Sequence, residues 1–262
     1  MRTALIGHTG FVGSNIAANQ PFDDLYNSSN LQEIAGREYD LVVSAAGRAD
    51  SFRINENGAA DLAELDALAG LVEQASITKM VLISTVCVYE ASDRSDEDTP
   101  LGTENLPPYG ANRLHLEQRF QRAFDTTIIR LPQLFGPGLK KGVIYDLAHN
   151  YRVEHIRPQG RFQYYDLTRL WSDITIALDA GLTSLNIATP PLTSETVASQ
   201  CFGIDLSGQV PGEPQSRFAQ MYTRNMVTKH ADLFGQTHDY LMTEEQELEA
   251  IRDFVATLEL PT

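Results

Sequence analysis

Ala4-Leu5-Ile6-Gly7-His8-Thr9-Gly10-Phe11-Val12-Gly13-Ser14-Asn15-Ile16-Ala17-Ala18 reads as a buried strand, a glycine loop and the start of a helix, and the rest of the chain is organised around it. Three glycines here let the chain turn tightly, let its backbone approach a ligand with no Cβ in the way, and let helix pack close to strand. N–H groups at a helix start favour an anion, and after a first strand the anion to expect is the pyrophosphate of a dinucleotide. The spacing is G-x-x-G-x-x-G rather than G-x-G-x-x-G. By itself that pattern also describes an ordinary turn before a helix; its place directly after the first strand favours the dinucleotide.

At 262 residues the chain is long enough for one large α/β domain or for a nucleotide domain with a smaller partner. Its two cysteines, Cys87 and Cys201, lack CxxC spacing, which fits a reducing cytosol and argues against a disulfide framework or a cysteine zinc site. The histidines are scattered and form no HExxH pair, so no metal is expected. The first strand starts almost at Met1 and no apolar run approaches the length of a membrane span, so a soluble, cytoplasmic protein is expected. A net charge of −15 without a basic stripe excludes nucleic acid and anionic lipid as partners. An anionic cofactor is compatible with it, because backbone dipoles at a helix start hold one without lysines.

Along the chain, helix one is expected to end near Asn19 and Asp24-Leu25-Tyr26 to form a second strand. In dinucleotide folds the residue after that strand meets the adenosine ribose, an acid selecting NAD and an arginine NADP. Here Asn27-Ser28-Ser29-Asn30 is neither; lacking the acid that would repel a phosphate, it favours NADP over NAD, although it also reads as a capped turn. Asp40 to Ser44 is a buried strand ending in Ala45-Ala46-Gly47, small residues that suit a backbone passing under a ligand. Arg48 follows, either a phosphate contact or a solvated loop arginine. Leu62, Leu65, Leu68, Ala69 and Val72 give the Ala59–Gln74 stretch helical spacing. Met80 to Ile83 is the next central strand, with Ser84 and Thr85 at its end, where open parallel sheets place their chemistry.

A helix is expected to begin at Tyr109, after Pro107-Pro108. Tyr109 and Arg113 are four apart and share one of its faces. Thr126 to Leu131 is a further strand. The alternation predicts a doubly wound parallel sheet of Rossmann type over residues 1–137. Residues 138–262 are expected to form a smaller portion that partly returns to the sheet: a helix over Val143–Asn150, strands over Val153–Ile156 and Phe162–Tyr165, a helix capped by Asp166 and running towards Ala180, a strand at Leu185–Ile187, a helix over Ser194–Phe202, and a last helix opened by the capping box Thr243-Glu244-Glu245-Gln246.

With the glycine loop, Val43-Ser44-Ala45-Ala46, Asn55 before the long helix, Ile83-Ser84-Thr85 with Val88-Tyr89, Tyr109 at a helix start and Leu134-Phe135-Gly136-Pro137 all in order, the chain resembles the extended short-chain dehydrogenase/reductases, the NAD-dependent epimerase/dehydratase family. That resemblance implies hydride transfer between a nicotinamide and a sugar carbon, usually on a nucleotide sugar. It implies Tyr109 as the acid/base hydroxyl, Thr85 as a hydrogen-bond partner of the same substrate oxygen, and Arg113 in the place of the cation that eases the tyrosine towards phenolate. The residues set against the dinucleotide are then Gly7, Thr9, Gly10, Phe11, Val12, Gly13, Asn27, Ser28, Ala45, Ala46, Gly47, Arg113 and Leu131. Arg48, Thr85, Gln133, Lys140 and Arg161 are the candidates for touching substrate, with an ordinary surface role as the alternative for Gln133, Lys140 and Arg161.

The chain departs from the family pattern in three respects. The family's cation is a lysine, whose ammonium an arginine's longer planar head does not reproduce, and a solvated helix arginine is the alternative reading of Arg113. Dehydratases place Asp-Glu directly after the threonine, where this chain has Val86-Cys87, so dehydration is disfavoured. Cys87 coincides with the cysteine of epimerase/reductases that make GDP-fucose, yet the position matching its histidine partner is Gly142, so an inert core thiol is the simpler reading. The expected activity is reduction of a 4-keto nucleotide sugar with NADP or NAD by a homodimer formed through the Ala59–Gln74 and Tyr109–Ala123 helices. A redox-neutral epimerase and a silent dinucleotide-binding or sensor protein are the alternatives.

Overall fold

The computed structural model describes residues 1–91, 93–209 and 223–258. Two compact units emerge, neither continuous in sequence. The first comprises Met1–Glu90, Asp98–Leu131 and Thr168–Leu185, and the second the described residues of Ala91–Glu97, Pro132–Leu167 and Asn186–Thr262.

In the first unit, β1 (Thr3–Ile6), β2 (Asp24–Tyr26), β3 (Glu38–Ser44), β4 (Ser76–Thr85), β5 (Thr126–Leu131) and β9 (Ser184–Asn186, whose last residue counts with the second unit) form one six-stranded sheet in the order β2-β1-β3-β4-β5-β9. The β1–β2, β1–β3, β3–β4 and β4–β5 pairs are all parallel. Every residue of β1 and β5 is buried, as expected of parallel strands covered on both faces. Strand order reverses between β2 and β3 on either side of β1, so the crevice at the carboxyl ends of β1 and β3 is the switch point at which such sheets take ligands. The chain is thus an α/β protein with a doubly wound, Rossmann-type parallel sheet.

Helices α1 (Phe11–Asn19), α2 (Ser51–Glu56), α3 (Gly58–Val72), α4 (Pro108–Ala123) and α6 (Leu170–Asp179) accompany the sheet. Leu65, Ala69 and Val72 of α3 and Leu116 and Phe120 of α4 join Ile6, Val42, Met80 and Leu82 in one core. α4 sits unusually close to the chain leaving β4: a Cβ on Gly110 would lie 2.2 Å from the Cys87 carbonyl oxygen, so only glycine fits there.

The second unit contains the parallel pair β6 (Gln133–Phe135) and β8 (Tyr164–Asp166), the antiparallel pair β7 (Arg161–Phe162) and β10 (Leu192–Thr193), and helices α5 (Val143–Ala148), α7 (Ser194–Val197) and α8 (Glu244–Ala256). Its core gathers Phe135, Ile144, Leu147, Phe162, Tyr164, Val197, Leu248, Ile251 and Phe254. α8 opens with the capping box expected from its sequence, Thr243 Oγ1 accepting from Gln246 N and Gln246 Oε1 from Thr243 N. α7 continues as a π-helical turn, Ala198–Phe202, to Gly203.

Three local expectations are corrected. Val153–Ile156 is not a strand: Val153–His155 is a 3-10 turn entered through Arg152 at φ 52°. Spacing of three puts Val153 and Ile156 on one side of such a turn, and both pack into the unit's core. Phe162–Tyr165 is two strands rather than one. Gln163 breaks them, its Nε2 donating to the Met226 and Thr189 carbonyls and its Oε1 accepting from Met226 N at 2.7 Å. Asp166 ends β8 and is not the N-cap of α6, because the 3-10 turn Leu167–Arg169 intervenes and Arg169 takes that place.

Candidate active site

The glycine loop leaves β1 with Gly7 at φ +87°, its N–H donating to the Tyr26 carbonyl of β2 at 2.7 Å. A Cβ on Gly7 would meet the backbone of Ala45 and Ala46 at 2.9 Å, and one on Gly13 would stand 2.1 Å from the Gly7 carbonyl oxygen. Strand β1, the end of β3 and α1 therefore converge with no side chain between them. Gly10 is the N-cap of α1 and brings no side-chain hydrogen bond to that end, while Thr9 and Gly10 are exposed and Phe11 and Val12 only partly covered. A bare, accessible helix start lying at the switch point suits a pyrophosphate.

Asn27, at the end of β2, is drawn to this loop by a 3.3 Å contact between its Nδ2 and His8 Nε2. Its Oδ1 accepts from Ser29 N and Oγ, and its N–H donates to Asn30 Oδ1. The tetrad is a locally hydrogen-bonded turn leading into the 3-10 turn Leu31–Ile34, with Ser28 exposed.

From the end of β3, Ala45 and Ala46 carry the contact with Gly7 towards Gly47, where φ is +113° and a Cβ would lie 3.8 Å from Arg113 Cζ. Arg113 is not a solvated helix arginine. Its side chain is 7 % exposed, Nη1 donates to Asp61 Oδ2 at 2.9 Å and Nη2 to Asp61 Oδ1 at 3.1 Å, and Nη2 also donates to the Arg48 carbonyl. Asn112 Nδ2 donates to Asp61 Oδ2 and to the Gly58 carbonyl, both at 2.8 Å. The guanidinium carbon stands 4.8 Å from the centroid of the Tyr109 ring, within range of a cation–π interaction.

Tyr109 occupies the first turn of α4, and its backbone N–H is capped by Asn55 Oδ1 of α2 at 2.9 Å. Burial pushes its phenol up to about 12; the nearby Cys87 adds to this, while Arg113 and the Thr85 hydroxyl pull the other way. Thr85 ends β4, where its Oγ1 also accepts from Cys87 N at 3.1 Å. Thr85, Tyr109 and Arg113 thus come together beside the strand end that touches the glycine loop. Arg48 enters through its carbonyl alone: its side chain is 73 % exposed and pairs with Glu64. Leu131 is buried at the end of β5. Gln133, Lys140 and Arg161 belong to the second unit, Gln133 partly covered and the other two exposed.

Sequence reasoning missed Asp61, Asn112 and the capping role of Asn55. One signal was present: Asp61 lies four residues before Leu65 on the buried stripe of α3, where a carboxylate needs a partner. It also missed a second buried ion pair, Arg130 with Glu117, at 2.8 Å and 3.2 Å, which Ser84 and Tyr89 complete. Among the described residues no group of histidine, cysteine and carboxylate side chains forms a metal site, and no helix is long and apolar enough to cross a membrane.

The family model for the NAD dependent epimerase/dehydratase family matches residues 22–168, more than half of the chain. No curated protein matches the sequence. Solved structures share the fold: UDP-glucose 4-epimerase with UDP-glucose from the hyperthermophile Thermotoga maritima, at 13% identity over 98% of this chain and 99% of that one, has a TM-score of 0.73. A dTDP-4-dehydrorhamnose reductase from Clostridium acetobutylicum, 14% identical, covers 99% of this chain and 100% of its own, with a TM-score of 0.73. A human epimerase family protein with NADPH, 16% identical, covers 98% and 100%, with a TM-score of 0.71.

Proposed function

The chain belongs to the NAD dependent epimerase/dehydratase family, and from that premise we propose that it is a nicotinamide-dependent reductase acting on the carbonyl of a nucleotide sugar, with a 4-keto sugar as the substrate class. One observation carries the reading. The strand end Ala45–Gly47 lies against Gly7 at one end and beside Arg113, whose guanidinium is over the Tyr109 ring, at the other, which supports a single ligand running from the glycine loop towards Tyr109.

When bound, the dinucleotide supplies the hydride. Gly7, Gly10 and Gly13 hold its pyrophosphate at the start of α1, with Thr9, Phe11 and Val12 around it, and Ala45, Ala46, Gly47 and Leu131 flank it at the strand ends. Asn27 and Ser28 meet the adenosine ribose; because no carboxylate stands there, NADP is proposed ahead of NAD. Tyr109 gives its proton to the substrate oxygen, and Thr85 donates a hydrogen bond to the same oxygen. Val86 and Cys87 provide no carboxylate for dehydration. Gln133, Lys140 and Arg161 are the proposed polar contacts of the sugar nucleotide, and the outer faces of α3 and α4 the proposed homodimer contact.

The similarity to structures that hold UDP-glucose or NADPH supports the class of ligand. The test is a panel of 4-keto nucleotide sugars incubated with NADPH and followed by loss of nicotinamide absorbance. Consumption with at least one panel member, abolished in Tyr109→Phe, is the expected result. Consumption that persists in Tyr109→Phe would remove Tyr109 from the chemistry.

A further inference from the structure

Family members put a cation beside the active tyrosine to ease it towards phenolate, but in this chain that cation is itself paired with a buried carboxylate. Asp61, from the first turn of α3, accepts from both terminal nitrogens of Arg113. The pair is sealed from water, with side-chain exposures of 7 % and 5 %. Asn112 donates to the same carboxylate, and the Arg48 carbonyl takes the remaining direction of Nη2. Held by three hydrogen bonds, two to Asp61 and one to the Arg48 carbonyl, the guanidinium lies over the Tyr109 ring with its carbon 4.8 Å from the centroid.

We propose that Asp61 is a positioning residue which clamps Arg113 against the ring of Tyr109 and cancels its charge, so that the site holds a phenol able to give a proton to a carbonyl oxygen and poorly able to take one from an alcohol. The proposal rests on the reductase reading above and concerns the protonation state in which the free site waits for substrate. The groups facing Tyr109 from the packed elements are Thr85 and Cys87 at the end of β4, Arg113 on its own helix, Asn55 on α2 and, behind Arg113, Asp61 on α3. Arg113 is the only cation among them, and Asp61 opposes it. The Tyr109 phenol is raised first by burial and then by Cys87, and Arg113, paired as it is, offsets only part of that rise. In the reductive step the Tyr109 O–H bond breaks, its proton passes to the substrate oxygen as hydride reaches the adjoining carbon, and water restores the phenol. The reverse step needs the phenolate, which is scarce near neutral pH.

The test is a spectroscopic titration of the whole protein without cofactor, taking the phenolate absorbance of Tyr109 as the difference between each protein and its Tyr109→Phe counterpart. In Asp61→Asn, which frees the charge of Arg113, the Tyr109 signal is expected about one pH unit or more below wild type, with about a tenfold gain in alcohol oxidation at fixed pH. In Asp61→Asn/Arg113→Gln, which removes both charges together, it is expected to stay at the wild-type position. The double variant keeps the test standing if the single one does not fold, because replacing both members of a buried pair is tolerated better than removing one. An unmoved signal in folded Asp61→Asn, or a rise of about one unit in the double variant, would overturn the proposal. NADPH binding measured on the same proteins separates the two readings: its absence throughout would sink the reductase and leave the titration to judge the clamp.

Discussion

The carbonyl oxygen of Gly7 lies where a Cβ on Gly13 would come within 2.1 Å of it. The first turn of α1 is therefore pressed onto the loop that leaves β1, and the contact is backbone against backbone, which no rotamer change relieves. Gly13→Ala is expected to displace the helix start, lowering stability by ~1–3 kcal/mol and weakening NADPH binding at least tenfold. Gly36→Ala serves as the comparison, since a Cβ there meets nothing within 4 Å and only its φ of +72° resists. It is expected to cost ~1 kcal/mol and leave binding intact. Chemical denaturation and calorimetry on the two variants check this.

Tyr109→Phe keeps the ring under the Arg113 guanidinium and the backbone cap from Asn55, and removes the hydroxyl alone. Turnover is expected to fall by ~10²–10⁴ with dinucleotide affinity within about twofold. A steady-state assay with a parallel binding titration reads both. Loss of binding and turnover together would make the tyrosine structural.

The Arg130–Glu117 pair is 5 % and 1 % exposed and ties β5 to α4. Glu117→Ala leaves a buried guanidinium with Tyr89 as its remaining hydrogen-bond partner among the described residues, and is expected to cost ~3–5 kcal/mol. Glu117→Gln/Arg130→Met, which removes both charges, is expected to recover most of that. Thermal melts compare the three proteins, at roughly 2–4 °C per kcal/mol.

Glu247, on α8, is wholly buried. Its Oε1 accepts from Tyr164 N at 2.7 Å and from Thr189 Oγ1 at 3.3 Å, while Oε2 has no partner among the described residues. Burial holds its carboxyl well above the usual range. The folded protein therefore keeps a proton that the unfolded chain releases above about pH 4.3. Stability from this group is full below that pH and declines as pH rises through the interval up to the folded value. Glu247→Gln is expected to flatten the slope and raise stability at pH 7 relative to wild type. Denaturant midpoints at pH 5 and pH 7 for both proteins check the sign.

The glycine loop, the strand–helix alternation and the Thr243–Gln246 capping box were legible in the sequence because each is set by neighbours a few residues away. What was not legible depends on distant partners. Arg113 looked solvated or catalytic until Asp61, 52 residues earlier, was found holding it. The break at Gln163 follows from hydrogen bonds to Thr189 and Met226, and no local pattern announces it. Val153–Ile156 was misread because a short apolar run fits a strand or a turn equally well until packing decides. The gathering of Thr85, Tyr109 and Arg113 was anticipated from their order and resemblance, whereas the neutralising carboxylate was not.

The central claim is that the loop Gly7–Gly13 and the site around Tyr109 serve one nicotinamide dinucleotide. Calorimetric titration of the purified wild-type protein with NADPH and with NADH, each repeated on Gly13→Ala, tests it most directly. Saturable binding of one mole per mole of chain, tighter for NADPH and weakened by the substitution, is the expected result. Absence of binding for both nucleotides, in a protein that melts cooperatively, would contradict the account.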